Sequence, residues 1–193
     1  MGVYKLSTAG GIATPRTNYS SFLAGNPKFV PPSYESIATV TVGSGGTASA
    51  EFTSIPSTYK HLQIRALVKA TNTGGASGLW FANSDTTQSN YYSHFLVGNG
   101  SSASAAAYNN PYSWSYSDAT FAVFVMDILD YGSTSKYKTI RTLRGWDNNG
   151  SGNISLESGL WKNTAAISTF KFQLDSGNLA QYSHVALYGI KGV

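Results

Sequence analysis

The segment Tyr59–Ala70, YKHLQIRALVKA, sets the strongest constraint on this chain. Leu62, Ile64, Ala66 and Val68 alternate with Gln63, Arg65, Leu67 and Lys69. A period of two puts the two sets on opposite faces of an extended strand, whereas a helix would need apolar residues three and four apart. Ile55-Pro56-Ser57-Thr58 leads in and Thr71-Asn72-Thr73-Gly74-Gly75 leads out, so both ends carry turn chemistry. The spacing predicts a central strand of an antiparallel sheet with one face in the core. Ser183–Lys191, SHVALYGIK, repeats the pattern: Val185 and Leu187 alternate with His184, Ala186 and Tyr188. This stretch is expected to dock as a partner strand, since a free end would fray.

Residues 35–193 read as one β domain. Ser36–Val42 is an expected strand, Gly43–Gly46 a turn, and Ala48–Thr53 its hairpin partner. Gly78–Ala82 and Tyr91–Val97 are shorter strands around the polar loop Asn83–Asn90. Residues 98–118 read as one long loop, of a length that often contacts something else. Within it, Ser101–Ala107 tolerates a helix but has no amphipathic period. Thr120–Leu129, TFAVFVMDIL, is almost continuously apolar and is expected to be buried on both faces. Tyr137–Trp146 alternates, Asp147–Asn153 is a turn, and Ile154–Lys162 and Ser168–Leu174 complete the series. Together these make an all-β fold of about ten strands, an antiparallel β-sandwich or jelly roll.

Residues 1–34 differ. Gly10-Gly11, Pro15, Gly25, Asn26-Pro27 and Pro31-Pro32 interrupt any regular element. Tyr4, Leu6, Ile12, Tyr19, Phe22, Leu23 and Phe29 are nevertheless spread through it, more large apolar groups than a disordered linker carries. This pattern predicts an extended N-terminal arm that buries these anchors on another chain. The alternative is an arm folded back over its own domain.

Composition excludes several classes of function. Only 11% of residues are charged, and the net charge of +4 is scattered without a Lys/Arg run, which argues against nucleic acid. The absence of cysteine excludes disulfides, a thiolate nucleophile and Cys-ligated zinc. No apolar run reaches the length of a membrane-spanning helix, so no membrane partner is expected. Low charge with abundant small polar residues suits a surface that meets protein.

Catalytic signals are weak. His61, His94 and His184 fall in separate strands among apolar neighbours and read as polar-face residues. Asp127 and Asp130 are candidate paired acids, but their place before Tyr131-Gly132 is ordinary turn chemistry. Asp147, Asn149, Ser151, Gly152 and Asn153 follow the start of a calcium-loop spacing. Ser158 stands where the bidentate acid belongs, Glu157 is one residue early, and a hairpin accounts for the same residues. No enzyme activity, cofactor or metal is therefore expected. The aromatics of the loop, Tyr108, Tyr112, Trp114 and Tyr116, sit beside Asn and Ser and suit an intersubunit contact or sugar stacking.

Phe52–Arg65 (FTSIPSTYKHLQIR), Tyr182–Gly192 (YSHVALYGIKG) and Thr14–Val42 resemble small virion proteins of tailed bacteriophages, including phages of cyanobacteria. The resemblance covers nearly the whole chain, and its motifs are structural. It implies a virion component, assembled in the host cytoplasm. Combined with arm and sandwich, it leads to the expectation of a capsid decoration (cement) protein. Such a protein would be a homotrimer on the major capsid protein. The alternative is a short tail fibre or glycan-binding host-receptor adhesin joined to tail components.

Overall fold

The computed structural model describes residues 33–116 and 119–192, with Trp114, Ser115 and Tyr116 described by backbone alone. All the sequence-derived arm anchors lie outside the described residues. Twelve strands are present among the described residues: β1 (Tyr34–Thr41), β2 (Ser49–Phe52), β3 (His61–Val68), β4 (Ala76–Ala82), β5 (Tyr91–Gly98), β6 (Ala103–Tyr108), β7 (Tyr112–Tyr116), β8 (Ala122–Ile128), β9 (Lys138–Asp147), β10 (Gly152–Trp161), β11 (Phe170–Leu174) and β12 (His184–Ile190). They form two antiparallel sheets, one of eight strands in the order β1-β12-β3-β8-β9-β10-β5-β6 and one of four in the order β2-β11-β4-β7. The sheets pack on each other as a β-sandwich.

β3 lies inside the larger sheet, between β12 and β8, with Leu187 opposite Ile64 and Met126 opposite Ile64 on the other side. Leu62, Ile64, Ala66 and Val68 face the core, as their period of two requires. Across from them, Phe170, Phe172 and Leu174 of β11 and Ala50 and Phe52 of β2 supply the smaller sheet's inner face. Phe124 and Phe172 meet between the sheets with centroids 5.1 Å apart. Trp80 of β4 packs edge-on against Tyr91 at 4.9 Å and parallel to Phe170 at 6.2 Å. The Tyr91 hydroxyl stays satisfied at depth, accepting from the Ala82 N–H at 3.1 Å and donating to the Asp85 carbonyl at 2.8 Å.

Four expectations are corrected. β1 and Ala48–Thr53 are not a hairpin, because β1 pairs with β12 while β2 pairs with β11. Gly45 and Gly46, at φ +94° and +75°, turn the chain from one sheet to the other, so that Ala50 and Phe52 enter the core. Residues 98–118 are not one loop: β6 extends the larger sheet beside β5, and β7 edges the smaller sheet beside β4. The helix-tolerant alanines lie in β6, where pairing with β5 outweighs intrinsic propensity. β8 is buried on one face only, since Val123 and Val125 point outward.

Gly189 of β12 packs against the ring of Tyr59. A Cβ there would penetrate the ring of Tyr59, whose hydroxyl donates to Glu35 Oε2 at 2.9 Å. Gly189→Ala is expected to displace that ring and lower stability by roughly 1–3 kcal/mol, the usual cost of overpacking, measured by chemical denaturation.

Candidate interaction surface

Among the described residues the outward face of the larger sheet is the most distinctive surface. Strand register aligns its side chains in rows that cross the strands. One row runs Val125–Leu143–Leu156–Leu96 across β8, β9, β10 and β5. The row beside it runs Leu67–Val123–Gly145–Ile154. The seven large aliphatic side chains are between 38% and 60% exposed. A trough of about 870 Å³ lies along Leu67, Val123, Val125, Leu143 and Ile154, flanked by Arg65 and Tyr188 on one side and Trp146 and Asp147 on the other. Solvated sheet faces normally alternate to polar residues. Here neither Lys nor Glu faces outward from β3, β8, β9, β10 or β5.

Four polar groups at the margin of this face satisfy one another. Asp127 Oδ1 accepts from Gln63 Nε2 at 2.7 Å, and its Oδ2 accepts from Arg141 Nη2 at 3.2 Å. Arg65 Nε donates to Gln63 Oε1 at 2.8 Å, while the guanidinium lies 5.5 Å from the Tyr34 ring centroid and 5.7 Å from that of Tyr188.

On the inner face of β9 and β10, behind the aliphatic rows, lies a buried charge pair. Arg144, 2% exposed, donates from Nε to Glu157 Oε1 at 2.8 Å. The same carboxylate accepts from Ser155 Oγ at 2.9 Å on Oε1 and from Ser113 Oγ at 2.9 Å on Oε2. Hydrogen bonds of this number make a buried carboxylate tolerable. Lys138, fully buried, is held by three carbonyls, those of Ser133, Lys136 and Thr164, at 2.7–3.0 Å. Burial pushes its ammonium below the ordinary lysine value.

The loop tyrosines are tied into the fold. The Tyr108 and Tyr112 rings stack at 5.3 Å and 24°, and both meet Phe95 edge-on. Ser77 Oγ donates to the Tyr112 hydroxyl at 2.6 Å. This cluster joins β5 and β6 of one sheet to β4 and β7 of the other and leaves one side of Tyr108 open. Trp114 and Tyr116 lie in β7, where Tyr116 pairs with Ala76 through the backbone.

The three histidines lie on the outward face in β3, β5 and β12, and the register does not bring them together. Asp147–Asn153 is a hairpin: Asn149 and Gly150 adopt φ +47° and +110°, and Asn148 N–H bonds the Ser151 carbonyl at 2.7 Å. Asp130 sits at a turn with φ +48°. Among the described residues no group of three His, Cys, Asp or Glu side chains is placed to hold a metal ion.

Among the described residues three carboxylates are held below their ordinary values. Hydrogen-bonded Lys136 and then Lys60 lower Asp130. Hydrogen bonds from Lys191 and Tyr59 lower Glu35. Burial raises Asp85, but hydrogen bonds from Trp161, Asn90 and Thr87 outweigh it. A carboxylate depressed in the folded state stabilises it fully above the unfolded value and loses that contribution as pH falls through the folded one. The melting temperature is therefore expected to hold at mildly acidic pH. It should fall below about pH 4, where unfolded Asp and Glu take up protons. Asp130→Asn and Asp85→Asn should each flatten that acid limb in a thermal scan against pH.

The fold and this surface define an all-β sandwich module with an apolar sheet face. In comparison with known proteins, the chain matches no protein-family model and no curated relative.

Proposed function

We propose that this chain is a structural protein of a phage virion, a capsid decoration protein. In this reading the sandwich lies on the head and the arm, residues 1–33, runs across neighbouring subunits. The observation that carries the protein-contact part is the outward face of the larger sheet, whose aligned aliphatic rows suit contact with protein better than contact with water. The phage part follows from the resemblance of Phe52–Arg65 and Tyr182–Gly192 to tailed-phage virion proteins. A jelly roll is supported by the way the chain alternates between sheets. β1, β12, β3 and β8 stand in one sheet, β2, β11, β4 and β7 in the other, and the hairpins β5–β6 and β9–β10 extend the first.

Deleting residues 1–33 should leave a soluble β protein that melts cooperatively but no longer binds empty heads in a co-sedimentation assay. A truncated chain that binds heads as well as the full chain would remove the arm from this role. Imaging of whole particles should show hundreds of copies on the head. A few copies confined to the tail would replace decoration with the tail-fibre reading.

A further inference from the structure

We infer that the outward face of the eight-stranded sheet is covered by the same face of a second copy of this chain. The inference rests on the reading of that face as a protein contact, and not on where the protein sits in a particle. β8 supplies the first argument. Its sequence, AVFVMDI, has the continuous apolar character of a strand buried on both sides, yet Val123 and Val125 are 55% and 38% exposed in the single chain.

Area supplies the second. Seven large aliphatic side chains, each about half exposed, present on the order of 500 Å² of apolar surface, near the upper limit for a patch on a stable monomer. With the flanking Ala105, on the Leu96 row, and Tyr188, next to it, the face extends toward the roughly 800 Å² per partner of a standard interface.

Charge supplies the third. A twofold contact sets every group against its own kind, so a self-pairing face must carry no lone charge near its centre. The two rows meet this condition. Arg65 stands at their margin between two tyrosine rings, and Asp127 is already bonded to Gln63 and Arg141. Pairing would strand none of these charges. The sheet face thus argues for two copies where the sequence reading expected three, because a patch that opposes itself closes at two.

Sedimentation equilibrium of the full chain at micromolar concentration should give a dimer. Leu143→Glu combined with Leu156→Glu should give a monomer with an unchanged circular dichroism spectrum. The chain has no cysteine, so single-cysteine variants report the geometry even if the double variant does not fold. Leu143→Cys should form a disulfide-linked dimer under mild oxidation, and Glu51→Cys, exposed on the smaller sheet, should not. A monomeric or trimeric wild type, equal cross-linking at both positions, or a double variant that remains dimeric would overturn the pairing. A monomer that still occupies heads leaves the decoration reading intact, whereas a dimer that binds no heads removes that reading and keeps the pairing.

Discussion

Glu157→Gln should lower the stability of this protein by roughly 3–5 kcal/mol, the usual cost of breaking a buried ion pair by removing one partner. The carboxylate is 5% exposed and accepts hydrogen bonds from Arg144, Ser155 and Ser113. The amide keeps the shape but loses the charge that balances the Arg144 guanidinium, and it replaces one acceptor by a donor. For a chain of this size the shift in melting temperature should be roughly 6–20 °C. Urea unfolding followed by tryptophan fluorescence would measure the same loss. The double variant Arg144→Met/Glu157→Leu should recover most of it, because apolar residues of similar volume often replace a buried pair at little cost. A single variant within about 1 kcal/mol of wild type would show that the site is more hydrated than its geometry indicates.

Trp80→Ala should be comparably severe, at about 3–5 kcal/mol, the range for truncating a buried aromatic. Trp80 is 1% exposed and sits where three neighbours converge: the Tyr91 edge, the Phe170 face and the bare backbone of Gly159. A Cβ at Gly159 would stand 2.8 Å from Trp80 Cζ2 and 2.7 Å from Ile140 Cγ1, so the indole has claimed the space a side chain would use. Trp80→Phe should cost markedly less than the alanine change, since it keeps a ring against Tyr91. Equal losses for the two variants, read from denaturant midpoints, would contradict this account.

The sequence made the strands legible wherever one face is buried and the other is polar. Tyr59–Ala70 is the plainest case, and its pairing with Ser183–Lys191 followed from the same alternation. The hairpin at Asn149-Gly150 was legible because that dipeptide supplies two positive φ angles. Three things were not legible. The crossing from β1 to β2 looked like a hairpin because glycine-rich turns carry no information about which sheet receives the next strand. β6 was hidden because alanine has little strand preference, and only pairing with β5 fixes it. The aliphatic rows were hidden because Leu67, Leu143, Leu156 and Leu96 come from four separate segments, and register alone brings them into line. A signal for them was present: each of these leucines occupies a position that a solvated strand would give to a polar residue.

The antiparallel pairing of β1 with β12 sets Tyr34 opposite Ile190, so the chain enters and leaves the sandwich at adjacent points. Tension applied between those two points would open the β1–β12 ladder from one end, loading its hydrogen bonds a pair at a time. Tension between Tyr34 and the far side of the sandwich would instead load the ladder in shear, with all its bonds strained together. The same domain should therefore yield at low force in the first geometry and resist in the second. Pulling with an optical trap from paired attachment sites would read this mechanical anisotropy directly.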